Sequence, residues 1–212
     1  MRNNYSYAGI TFIVFIFLIY VVFQLTNRKT SDDLVFFEKV PDFELLNQDS
    51  VLVSNTDLKG KVYTVEFFFS TCPTICPVMT LNSKSIQRKF SSNPNFKMLS
   101  ITINPDHDTP AVLRKYASDN GINLNIWSLL TGSQANIFKL SNEGFRLYSG
   151  ENNEVEGGFE HSGLIALIDK EGFIRSRTID VGGSSNPIKF YDALDMSSIN
   201  YLKQDIEVLL DL

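Results

Sequence analysis

Only two cysteines and two histidines occur in 212 residues. So sparse a set leaves no obvious fourth protein ligand for a closed structural zinc site, which takes four. Excess positive charge is missing too: the formal net charge is -5 and basic runs are absent. Without a basic footprint, no nucleic-acid partner is expected. Internal repeats and low-complexity tracts are also lacking, and no proline occurs between Pro110 and Pro187. What remains is a chain that is 43% hydrophobic, enough for one real core plus extras but not for two full domains.

Charge is absent from Asn3 to Asn27, and Tyr7 to Phe23 is almost wholly Ile, Val, Phe, Leu and Tyr. A bilayer core needs roughly 20 apolar residues in a helix. A cleaved signal peptide is the competing reading, but it would have a shorter apolar region and small residues at its exit, where this chain reads FQLTNRKT. A retained single transmembrane helix is therefore expected at residues 7–25. It follows a short segment at 1–6 and precedes a tether at 26–40 and a folded domain at 41–212. Orientation is a weak contest between Arg2 on one side and Arg28 and Lys29 on the other.

Beyond the tether, strand signals broken by turn residues lead to VYTVEFFF, a β-branched and aromatic run that reads as a buried strand. Pro77 suits the first turn of a following helix. A second strand, FKMLSITINP, precedes a helix capped by Asp108 or Thr109, opened by Pro110 and stopped by Gly121. NIWSLLTG is extended, SQANIFKLSNEG helical with a glycine ending, and SGENNEVEGGFE a polar, Gly-rich loop. A hairpin turning at Asp169 to Gly172 and a closing amphipathic helix, NYLKQDIEVLLDL, complete the pattern. This alternation predicts an α/β fold: a thioredoxin-like mixed sheet flanked by helices.

Both cysteines lie in EFFFSTCPTICPVMT, on the turn from strand to helix. A helix N-terminus lowers a thiol pKa, and thiolate is the form needed for disulfide attack and for metal binding. Cys72 and Cys76 have three residues between them, one more than the usual redox loop. Redox exchange, metal binding and a structural disulfide all stay open on spacing alone. His161 bears on the choice. It sits where thioredoxin-like folds place a loop beside the cysteine turn, at a place where disulfide oxidoreductases of this fold carry a cis-proline. Two thiolates and an imidazole make a soft three-ligand site suited to Cu(I), and able to hold Cu(II). Met79 reads as core. His107 reads as an exposed turn residue, with Asp106 and Asp108 beside it only a weak metal candidate. Thr71 or Thr74 is all that suggests a peroxidase.

These residues resemble the Sco (SenC) copper-chaperone family. FFFSTCPTICPVM is similar to its C-x-x-x-C-P motif, INPDHDTP to its D-P-x-x-D-T-P segment, and WSLLTG and EHSGLIALIDKEG to its later blocks. The likeness runs in order from about Phe43 to Leu209. It implies copper bound by Cys72, Cys76 and His161 and delivered to the CuA site of cytochrome c oxidase subunit II, or to another copper acceptor. Asn104 stands where the family has aspartate, and His107 where arginine is common. The expectation is a membrane-anchored copper chaperone in the bacterial inner membrane, single-pass, with its domain in the periplasm. The N-terminus lacks the Arg- and Ser-rich character of a mitochondrial presequence. The rival expectation is a thiol-disulfide reductase acting on a partner's cysteines through Cys72 and Cys76.

Overall fold

The computed structural model describes residues 5–26, 30 and 33–211. An N-terminal helix, α1 (Tyr5–Thr26), carries no charged residue, and its large apolar side chains from Ile10 to Phe23 are exposed. The side chains of α1 are described only from Gly9 to Phe23. Among the described residues no helix is long and apolar enough to cross a membrane. The fold thus does not establish the expected span over 7–25. Residues 1–4 of the expected leading segment, and 27–29 and 31–32 of the tether, lie outside the described residues.

The centre of the domain is β4 (Val62–Phe68), with all seven residues buried. A run apolar on both faces suits a central strand covered on both sides. It pairs in parallel with β5 (Phe96–Thr102), which pairs in parallel with β6 (Trp127–Thr131). On its other side β4 meets β9 (Leu164–Ile168) antiparallel, and β9 turns through Asp169–Gly172 into β10 (Phe173–Ser176). The edges are β1 (Val35–Lys39), antiparallel to β10, and a hairpin of β2 (Glu44–Asn47) with β3 (Leu52–Ser54) beside β6. A short α2 (Asn55–Leu58) follows β3, and β13 (Tyr191–Asp192) pairs with β9. The expected mixed α/β sheet is present, and the segment expected as tether supplies its edge strand β1.

Helices follow the predicted punctuation. After the cysteine turn, α3 (Cys76–Phe90) begins with Pro77 in its first turn. Next, α4 (Pro110–Asn120) starts at Thr109, whose hydroxyl accepts from the Val112 N–H, and ends at Gly121 with φ 64°. That left-handed ending is where glycine costs least. The glycine expected to end the next helix does not do so. After α5 (Gln134–Lys139) the chain widens into a π-helix, Leu140–Phe145, that contains Gly144 and stops at Arg146 with φ 58°. The last helix, α6 (Met196–Leu209), begins earlier than its amphipathic stretch suggests, because the Asp195 carboxylate accepts from the N–H groups of Ser197 and Ser198.

Two hairpins were not expected. The Gly-rich stretch pairs with itself as β7 (Ser149–Glu151) and β8 (Phe159–His161), with Ser149 opposite His161. β11 (Thr178–Val181) pairs with β12 (Ser184–Pro187). Alternation is weak in both, and their polar residues lack the apolar face that marks a strand in sequence.

Candidate metal centre

Strand β4 ends at the cysteine turn, and α3 begins on Cys76 itself. Cys72 is 8% and Cys76 2% exposed, and both thiols are free. The β7–β8 hairpin delivers His161 from 85 residues downstream, with its Nε2 3.1 Å from Cys76 Sγ. One ligating atom from each of Cys72, Cys76 and His161 lies within 4.8 Å of the others. The structure thus brings the three residues expected from sequence together.

His161 is fixed in orientation. Its Nδ1 lies 3.0 Å from the Ser162 carbonyl oxygen, so Nδ1–H donates there and Nε2 faces the sulfurs with its lone pair. The Phe69 ring stands edge-on to the imidazole at 5.9 Å between centroids. Gly157, with φ 94°, lets the hairpin close over Phe69; a side chain there would meet the ring at 3.0 Å. His161 is therefore carried by a paired strand braced on the core. The Gly-rich stretch is not the unstructured loop the sequence suggested.

The two thiols are electrostatically unequal. A hydrogen bond from the Cys76 thiol, helped by backbone N–H groups of the cysteine turn, holds Cys72 well below the usual thiol range despite its burial. That same bond, together with burial, pushes Cys76 well above the usual thiol range. Cys72 is thus the standing thiolate and Cys76 the thiol. An open pocket of about 410 Å³ exposes the site, lined by Cys72, His161, Ile75, Tyr148, Glu156 and Glu160 among others.

Asp108 positions the turn. It is fully buried, and its carboxylate accepts from the Ser70 N–H at 2.9 Å and from the hydroxyls of Ser70 and Thr102. His107 Nδ1 lies 2.9 Å from its other oxygen, with the His107 side chain half exposed. The sequence offered Asp108 as a helix cap or a weak metal ligand; its oxygens are instead taken by Ser70, just after β4, by Thr102 at the end of β5 and by His107. Asp106 and His107 do not join the cysteines among the described residues. Met79 is core, 1% exposed, as expected.

Glu66 was not singled out from sequence, since it hides in an apolar run. It is buried in β4, accepting from Ser83 Oγ at 3.1 Å and Ser100 Oγ at 2.7 Å, while Trp127 Nε1–H donates to Ser100 Oγ at 2.8 Å. Burial raises its pKa above the usual carboxylate range. The native state then keeps a proton that the unfolded chain releases. The contribution of Glu66 to stability is therefore fully present below the unfolded carboxyl pKa and is lost as pH rises through the raised one. Glu66→Gln is expected to remove this slope, which reaches at most about 1.4 kcal/mol per pH unit. Urea melts of both chains from pH 5 to 8 check it; parallel pH curves would sink the assignment.

A family model described as SCO1/SenC matches residues 34–191. A SCO1 protein homolog from Bacillus subtilis is 34% identical over 110 residues, 51% of this chain and 57% of that protein. The chain therefore matches little more than half the length of that relative. Among solved structures, BsSco, described as a member of the Sco family of cytochrome c oxidase assembly proteins with a disulfide switch, superposes with TM-score 0.65 at 26% identity. It covers 82% of this chain and 94% of that one. Yeast Sco1 with copper bound superposes with TM-score 0.57 at 25% identity, covering 79% and 88%.

Proposed function

The chain belongs to the SCO1/SenC family, and on that footing we propose that it is a membrane-anchored copper chaperone that loads the CuA site of cytochrome c oxidase subunit II. The observation that carries this reading is the cluster of two sulfurs and one imidazole nitrogen within 4.8 Å. Soft thiolates with one imidazole match Cu(I), and a set of only three ligands leaves room for an acceptor's ligand to enter. The copper-bound yeast relative and the oxidase-assembly relative support the cargo and the destination.

Copper is the cargo, held by Cys72, Cys76 and His161. Cys72 is ready as thiolate, so loading displaces one proton, from Cys76. His161 presents Nε2 to the sulfurs because Ser162 holds its other nitrogen. Release proceeds by ligand exchange: an acceptor thiolate or imidazole enters through the open pocket before a chain ligand leaves. The anchor reading rests on the sequence, where the run from Tyr7 to Phe23 is uncharged and almost wholly apolar. It places the domain on the periplasmic side of a bacterial inner membrane.

The reductase reading draws on the two free thiols and the low Cys72 pKa. A lowered thiol pKa weakens the thiolate as a nucleophile and favours the reduced pair, which is the direction of an oxidant rather than of a reductant. One experiment separates the two: the Cu(I)-loaded chain mixed with copper-free subunit II. The chaperone reading expects the donor to lose its Cu(I) to subunit II, and the purple CuA absorption to appear once ferricyanide is added to take one electron from the dicopper pair. Reduction of subunit II disulfides by the copper-free chain, with no metal transfer from the loaded one, would establish the reductase instead.

A further inference from the structure

Strand directions place the metal centre relative to the anchor. β1 runs antiparallel to β10, β10 to β9 and β9 to β4. β1 therefore runs opposite to β4, from the cysteine end of the sheet toward the end where Lys39 pairs with Phe173. The chain leaving α1 thus arrives from the cysteine end. Only eight residues separate Thr26 from Val35, nine steps of chain with a reach of at most about 32 Å. A domain of this size is roughly 40 Å across. The tether is too short to turn the opposite end toward the bilayer with ease.

The surface around the pocket at that end is apolar. Ile75, Val78 and Leu81 are spaced three apart along the start of α3, Val78 and Leu81 being 43% and 64% exposed. Leu194 joins them: a side chain at Gly163 would meet Leu194 at 3.2 Å and Ile75 at 3.9 Å. Beside this patch the β7–β8 hairpin carries Glu151, Glu154, Glu156 and Glu160 and no basic residue. The far end is mixed in charge, with Lys39, Lys59 and Lys170 beside Asp42 and Glu171 about one pocket. Anionic lipid headgroups repel an acidic rim, so lipid does not suit the cysteine end.

We infer that Ile75, Val78, Leu81 and Leu194 form a docking face, held toward the bilayer, for a membrane protein acceptor with an apolar centre and a cationic rim. The face rests on the chaperone reading above and specifies its partner: the metal-receiving ligands must lie within tether reach of the membrane surface. The apolar centre excludes water around the pocket, and the acidic rim selects the partner and steers its approach.

The test uses the full chain in phosphatidylcholine nanodiscs containing a gadolinium-chelate lipid, read by methyl NMR, with copper-free oxidase subunit II then added in the same discs. Broadening is expected at Ile75, Val78 and Leu81 and not at Val40 and Leu58 of the opposite end. Subunit II is expected to shift the same three methyl groups. A Leu81→Glu chain should bind Cu(I) as before yet transfer it at least tenfold more slowly. Broadening at Val40 and Leu58, shifts confined elsewhere, or unchanged transfer from Leu81→Glu would each overturn the docking face while leaving the anchor intact. Failure of the chain to enter nanodiscs would overturn the anchor reading itself, and the membrane-facing orientation with it.

Discussion

Serine in place of either Cys72 or Cys76 is expected to lower Cu(I) affinity at least about a hundredfold, or about 2.8 kcal/mol, without unfolding the domain. A serine hydroxyl keeps its proton near neutral pH and offers a hard oxygen, whereas Cu(I) selects soft thiolate. Both side chains are buried, and the change from sulfur to oxygen alters volume little. The two variants should differ in one respect. Cys72 is the standing thiolate, whose charge draws on the Cys76 thiol and the helix start. Cys76→Ser keeps a hydroxyl donor for that thiolate, so Cys72 stays acidic in it. Competition against a Cu(I) chelator measures the affinities, and thiol titration with a small alkylating reagent across pH reads the remaining Cys. Full copper affinity in either variant would remove that sulfur from the site.

Asp108→Ala is expected to cost about 3 kcal/mol of folding stability and to weaken copper binding roughly ten- to a hundredfold. The carboxylate is buried and takes hydrogen bonds from Ser70, Thr102 and His107. Removing it leaves the Ser70 N–H and the Thr102 hydroxyl, which is wholly buried, without an acceptor. Hydrogen bonds to a charged group contribute about 1.5–3 kcal/mol each, and water reaching the half-exposed His107 side recovers part of the loss. Because Ser70 is two residues before Cys72, the turn itself loses its brace. Asp108→Asn, which can keep one acceptor, should recover part of both losses. Urea unfolding gives the stability change, and the chelator competition gives the affinity. A variant destabilised as expected yet binding copper at full strength would confine Asp108 to the fold.

Much of the sheet was legible because its strands announce themselves. VYTVEFFF is apolar on both faces, a pattern that a central strand requires and a surface helix does not. Thr109, Pro110 and Gly121 bracket α4 by local chemistry that operates without long-range partners. The cysteines were legible as a primed pair because Pro77 marks the helix start beside them. His161 needed more, since nothing near it in sequence shows that residue 161 faces residue 76; the absent proline and the family resemblance carried that step.

The unread parts share a cause. The β7–β8 hairpin is made of glycine, asparagine and glutamate, and it pairs because Phe159 packs on Phe69 and Gly157 fits against that ring. Those are tertiary contacts with no periodic trace. Asp108 looked like a cap because caps and buried acceptors use the same residue types; only the fold shows Ser70 arriving 38 positions away to take it. Glu66 is concealed by its neighbours' hydrophobicity, and its partners Ser83 and Ser100 come from α3 and β5. Burial of a carboxylate is tolerated where hydroxyls supply the lost water, and that supply is visible only once the sheet is assembled.

The most direct measurement is copper K-edge X-ray absorption of the chain loaded with one equivalent of Cu(I), beside a His161→Ala chain loaded the same way. The account predicts two sulfur scatterers and one imidazole nitrogen in the wild type, with the imidazole signature lost in the variant while both sulfurs remain. Identical spectra from the two chains, or a wild-type shell without imidazole, would contradict a centre built from Cys72, Cys76 and His161.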